Sequence, residues 1–404
     1  MAGGATATGA LGVGGLLWKR RRRRLTDLPV VDPHRILDLA EGLRYRILLR
    51  TGDPMTDGHP SLPAPDGMGC TADPTHPDRW ILARNHELPA PHGGVSRIVL
   101  DAGSLRVISS NMILTGTDRN CAGGMFPGIG WLSCEESLAP GRGHIYRCDV
   151  LADRLRAPEP LPALGRFRHE AIATDGRGYY MTEDRYDGCL YRFLPSDPNH
   201  PFDGRLQALA VPKRPTFPTG SMPEGETVEV AWIDLPDPDP PGKELKNVAL
   251  GLGAATFQRG EGIVQGNGAL YIVATAGGPI GAGQVFELRP TENSGTLRVV
   301  AASTDRYILD MPDNITVAPW GDPVVAEDDG IGENLIRGIR QDGTVYDIAE
   351  NRASRGELAG VCFSPDGRAL FANMFADGLT VAIFREDGAP LDGALARGPK
   401  APVP

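Results

Sequence analysis

Three shortages in this sequence each exclude something. Apolar runs are short, and no stretch approaches the roughly 20 residues of a membrane-spanning helix, so no stable membrane span is expected. Cysteine is scarce, with six thiols (70, 121, 134, 148, 189, 362), no CxxC spacing and no compact framework. That argues against a disulfide scaffold and makes buried structural thiols the ordinary expectation. Positive charge is in deficit, with a net charge of -10, which argues against a nucleic-acid partner and is compatible with a protein that collects cations. Aromatics are few as well.

Glycine (52) and proline (36) are plentiful, a balance suited to many short strands joined by turns rather than to long helices. The start, "MAGGATATGALGVGGLLW", resembles the apolar part of an export signal, but "KRRRRR" (19–24) follows it instead of preceding it. We expect residues 1–25 to be a signal-like, basic segment that has lost its Arg-bearing beginning, with a disordered basic arm as the alternative. Residues 26–404 are expected to form one domain.

Within that domain a short apolar run ending in polar or acidic residues recurs: "RWILARNHE" (79–87), "GWLSCEE" (130–136), "GYYMTED" (178–184), "GALYIVATAGG" (268–278), "GDPVVAED" (321–328) and "GRALFANM" (367–374). Upstream of each lies another run opened by Asp66, Cys121, Glu170, Glu261, Asp313 or Glu357. Turn residues separate the runs, and their lengths and β-branched content are those of strands. Six such units, spaced by roughly 50 residues, predict an all-β, six-bladed propeller. The Pro-rich stretch at about 195–245 reads as an insertion between the third and fourth units.

In a blade the start of the innermost strand and the end of the next meet on the same face. The opening residues should therefore ring one mouth of the central channel, with Glu87, Glu135, Glu136, Glu183, Asp184, Glu327 and Asp328 as a second tier. Crowded carboxylates raise one another's pKa values unless cations compensate. Oxygen ligands suit calcium, and a lone thiolate among them suits a transition metal such as iron. In "QRGEG", alternation along an extended segment places Arg259 on the same side as Glu261, where a guanidinium could clamp a phosphate or carboxylate. Blander readings stand beside these. Asp313 and Asn314 could form an Asx turn, Glu135 and Glu136 a solvated strand end, and His169 either a ligand or a hydrogen-bonding neighbour of one. Cys134, Cys148, Cys189 and Cys362 are expected in the core.

"NCAGG", "WLSCEE", "GRFRHEAIATD", "YYMTEDR", "FQRGEG", "PDNI" and "GVCFSPDGRALFAN", with "DPMTDGHPSLPAPDGMG" and "WILARNHEL" before them, together resemble the PhoX-type alkaline phosphatases, in family order from about residue 40 to 385. The resemblance implies a six-bladed propeller, hydrolysis of small-molecule phosphate monoesters, a cofactor of two ferric and three calcium ions bridged by an oxo group, and export by the twin-arginine route. By motif, Cys121 resembles the iron-binding thiolate, Glu170, Glu261, Asp313 and Glu327 resemble metal ligands, and Arg259 resembles the phosphate-binding arginine. Glu135, Glu136, Asp328 and Glu357 are assigned as ligands by the ring geometry. Two departures are visible: "MFPGIGW" stands where many relatives carry "TPWGTW", and "NMFADG" (373–378) where many carry "QHPG". A twin-arginine motif is not present in this chain. A monomer is expected. A calcium-dependent lactonase or esterase, and a propeller merely braced by ions, are the alternatives.

Overall fold

The computed structural model describes residues 28, 30–328 and 333–393; the signal-like segment 1–25 lies outside them. Among the described residues, no helix is long and apolar enough to cross a membrane.

The strands form five sheets, in which every strand pairing is antiparallel among the described residues. Four are small, of four or five strands. The fifth has nine, because Thr227–Asp234 pairs with both His200–Ala210 and Ser294–Ala302 and joins two strand groups at their outer edges. Part of the stretch 195–245 is therefore sheet rather than loop: His200–Ala210 finishes one strand group, and Thr227–Asp234 ties it to the next.

The edge strands Pro65–Ala72, Asn120–Phe126, His169–Thr174, Gly260–Gly266, Pro312–Val317 and Leu358–Phe363 lie innermost, each packed against the next, and the last returns to the first. This is a propeller-like closed arrangement. The early strand Leu43–Arg50 pairs with Leu379–Arg385 and completes the last sheet. The second strand of each group is buried along nearly its whole length, and Pro323–Glu327 and Ala369–Met374 are buried throughout. Such a strand has a neighbouring sheet on both faces, which is why its sequence reads as a continuous apolar run rather than an alternating one.

Each innermost strand carries a register irregularity near its start: between Pro65 and Met68, Asn120 and Gly123, His169 and Ile172, Gly260 and Ile263, Pro312 and Ile315, and Ala359 and Cys362. Two residues there oppose one on the partner, so the strand bends and a side chain is re-aimed. In the first five the first bulged residue is Asp66, Cys121, Glu170, Glu261 or Asp313. After Asp66 and Glu261 the next residue is glycine for a steric reason. A Cβ on Gly67 would lie 2.4 Å from Ala122 Cα, and one on Gly262 would lie 2.9 Å from the Ile315 nitrogen.

Below the ring the inner strands enclose a cavity of about 460 Å³ lined by Met68, Phe126, Ile172, Ile263 and Val317. Cys362, expected in the core, lines this cavity with Cys70, whereas Cys134, Cys148 and Cys189 are buried in blade cores as expected.

Candidate metal centre

The bulges deliver Asp66, Cys121, Glu170, Glu261 and Asp313 to one end of the channel. The sixth inner strand differs: its bulge falls at Gly360 and Val361, and the acid comes from Glu357, just before the strand. Its backbone carbonyl accepts a hydrogen bond from Phe375 N at 3.1 Å. In the other units the same kind of bond reaches the residue two places before the ring residue: Ala64, Arg119, Arg168, Arg259 and Met311. Glu357 thus occupies the place that three arginines hold elsewhere, and its carboxyl still reaches the ring acids.

The second tier is narrower than expected, because consecutive strand residues face opposite ways. Glu136, Asp184 and Asp328 face the ring, as does Glu87. Glu135 does not, although it was expected to be a ligand. Fully buried, its Oε1 accepts from Asp118 N (2.9 Å) and Arg142 Nη1 (3.3 Å), and its Oε2 from Gly143 N (2.8 Å) and His144 N (3.4 Å). Glu327, also expected to be a ligand, accepts from Asp310 N (2.9 Å), Leu335 N (3.2 Å) and the buried Arg337 Nε (2.7 Å). Glu183 is held in the same manner by Cys189 N and the Tyr191 hydroxyl. These three carboxylates clasp loops through their hydrogen bonds. His169 is also structural: its Nε2 contacts Gly165 O at 2.9 Å, its ring packs on Phe167, and burial pushes its pKa down to about 3.

What remains at the mouth is a concentration of acid. The Sγ of Cys121 and carboxylate oxygens of Glu136 and Glu170 lie within 4.8 Å of one another. Burial, then the neighbouring acids, pushes Asp66, Glu170, Glu261 and Glu357 well above the usual carboxylate range. Burial and the nearby Asp328 push Asp313 up to about 7; burial and Asp184 do the same for Glu136. Asp66 Oδ2 and Glu170 Oε2 are buried without a hydrogen-bond partner. Unpartnered buried oxygens in a like-charged cluster are costly unless cations sit among them, so the residues present fit bound metal ions.

Three arginines border this cluster, and two of them, Arg119 and Arg168, escaped the sequence reading. Arg259 donates from Nε and Nη2 to Asp184 (2.9 and 3.2 Å) and from Nη2 to Glu261 (2.8 Å), while its Nη1 has no hydrogen bond among the described residues. Burial opposes its charge, but Glu261 and Asp184 more than offset that, so its pKa is raised. Arg168 lies 3.2 Å from Glu136. The signal that could have found both was the spacing Arg-x-Cys at 119–121 and Arg-x-Glu at 168–170, repeated at 259–261.

The ring is stitched from unit to unit. Asn85 donates to Cys121 O (3.1 Å) and Ala122 O (2.7 Å) of the next inner strand, and accepts from Trp131 Nε1 and Ser133 Oγ. Thr182 donates to Glu261 O, Thr275 to Pro312 O, and Asn373 to Asp66 O, the last bond crossing from the final unit to the first.

No curated protein sequence matches this chain. Among solved structures, Pseudomonas fluorescens PhoX in complex with vanadate, a transition-state analogue, superposes with a TM-score of 0.74 at 18% identity, covering 92% of this chain and 99% of that one. A structural-genomics protein of unknown function from Bacteroides thetaiotaomicron has a TM-score of 0.50 at 10% identity, covering 85% and 76%. Likeness at such identities establishes the propeller-like fold. The family model for alkaline phosphatase PhoX matches residues 139–378, more than half of the chain. The chain therefore belongs to the PhoX alkaline phosphatase family and is a phosphatase.

Proposed function

We propose that this phosphatase hydrolyses phosphate monoesters with iron and calcium held in the ring. Cys121, Glu136 and Glu170 would hold the iron, with Asp66, Glu261, Asp313, Asp328 and Glu357 supplying oxygen ligands to the remaining ions. The observation that carries this reading is the convergence of one thiol and two carboxylates within 4.8 Å inside a buried acidic ring. When bound, the metals supply Lewis-acid polarisation of the phosphoryl oxygens.

The chain's own contribution is orientation. Asp184 and Glu261 fix two of the Arg259 nitrogens and so set the plane of its fork. Nη1 remains available to a non-bridging phosphoryl oxygen, where a charge-assisted hydrogen bond would strengthen as negative charge develops. The clasps of Glu135, Glu183 and Glu327 hold the strand ends from which Glu136, Asp184 and Asp328 project.

The closed circle of inner strands supports a six-bladed propeller whose third and fourth blades are fused through Thr227–Asp234. We read residues 26–404 as one domain, monomeric and exported, with the twin-arginine route implied by the family resemblance. Elemental analysis of protein from a native-like host, beside turnover of p-nitrophenyl phosphate, tests the proposal. Iron with calcium and turnover support it; calcium alone, or full metal with no turnover, overturns it.

A further inference from the structure

Arg119, Arg168 and Arg259 are one position repeated in three consecutive units. Each precedes its ring residue by two, and each offers its backbone carbonyl to the second-tier strand: Glu136 N to Arg119 O at 2.9 Å, Asp184 N to Arg168 O at 3.3 Å, and Thr275 N to Arg259 O at 2.9 Å. Arg119 and Arg259 also share a left-handed backbone, with φ of 47° and 55°. Ala64 and Met311, at the same place in two further units, share it with φ of 50° and 47°, so the conformation belongs to the entry into the inner strand.

The three guanidinium groups differ in what they touch. Arg259 is engaged by Asp184 and Glu261, and Arg168 by Glu136. Arg119 is exposed and makes no side-chain hydrogen bond or ion pair among the described residues. It is nevertheless close to the acids: the Glu136 amide binds its carbonyl, and its charge opposes the rise that burial and Glu136 impose on Glu87. The buried arginines elsewhere are all engaged: Arg84 by Thr380 and Ser61, Arg192 by Gln207, and Arg337 by Glu327 and Asp347. A guanidinium left uncommitted at the rim of the candidate centre is available to an incoming anion.

We infer that Arg119 forms a second anion position at the mouth, which favours phosphate monoesters whose leaving group carries a further phosphoryl group. The inference rests on the phosphatase reading for its substrate class, and on Arg119 itself for the anion. Glu87 and Glu136 face Arg119 and would repel an anion while ionised and uncompensated, so the position operates in the metal-loaded protein.

The test compares metal-loaded wild type, Arg119→Ala and Arg119→Lys on fructose 1,6-bisphosphate and fructose 6-phosphate, with calorimetric binding of pyrophosphate and orthophosphate as a second readout. The ratio of kcat/KM for the bisphosphate over the monophosphate should fall about tenfold in Arg119→Ala, the size of one hydrogen bond to a charged group. Arg119→Lys should recover part of that ratio. Pyrophosphate affinity relative to orthophosphate should fall in step. An unchanged ratio in both readouts overturns the inference. Should the wild type turn over neither ester, the phosphatase reading fails, and selective loss of pyrophosphate binding in Arg119→Ala would still establish the anion position.

Discussion

The adjacent glutamates 135 and 136 should respond oppositely to the same substitution. Glu135 is fully buried and accepts four hydrogen bonds, from Asp118 N, Arg142, Gly143 N and His144 N. Glutamine keeps one acceptor oxygen and turns the other into an amide donor, which must face either the Asp118–Arg142 side or the Gly143–His144 side. Two donors then meet a donor. With roughly 1.5–3 kcal/mol for each hydrogen bond to a charged group, Glu135→Gln should destabilise the metal-free protein by about 3–6 kcal/mol. Metal content of the protein that does fold should be near normal. Glu136→Gln removes one of the crowded acids and a single partly exposed ion pair with Arg168, so metal-free stability should change by no more than about 1 kcal/mol. Its iron content should collapse. Guanidinium melts of the stripped proteins and elemental analysis of the loaded ones read both effects. Glu135→Gln protein with parental stability but missing iron would refute the division into clasp and ligand.

Folded, metal-loaded Arg259→Ala should lose at least about 100-fold in kcat/KM on a simple phosphomonoester, the scale of removing one preorganised charge stabiliser; a parental rate would sink its assigned role. Asn373→Ala, which removes the bond closing the last unit on Asp66, should cost about 1–3 kcal/mol in a denaturant melt. Stability of the metal-free protein should fall as pH rises from about 4.5 to 7. Glu87, Glu136 and Asp313 have folded pKa values pushed up to about 7, so in that window the native state binds more protons than the unfolded chain. Each group contributes a slope of up to about 1.4 kcal/mol per pH unit, and a melt flat across this range would contradict the crowding.

The repeat was legible because each unit restates one pattern of two apolar runs around a turn, and recurrence outweighs the ambiguity of any single run. Position within the unit was legible for Cys121, Glu170, Glu261 and Asp313, since each opens a run. The facing of the acid pairs was not read. Glu135 and Glu136 look equivalent in sequence, and only the pleat and the loop donors at Asp118 and Gly143 separate them. Glu357 looked like one more opening residue, but the register places it where the other units hold Arg119, Arg168 or Arg259. The joining strand Thr227–Asp234 was hidden by the prolines around it, which read as loop.

The pairing of Leu43–Arg50 with Leu379–Arg385 has a consequence for biosynthesis. A ribosome releases the first partner more than 300 residues before the second, so the last sheet, and with it the Asn373 to Asp66 bond, forms only after Leu379–Arg385 has emerged. Until then Asp66 and Glu357 cannot face one another across a closed ring, and a nascent chain has at most scattered acids to offer. Metal capture by the whole ring should consequently follow the emergence of Leu379–Arg385 rather than precede it. A protein truncated before Leu379 would emerge with all of its proposed ligands and little of its affinity.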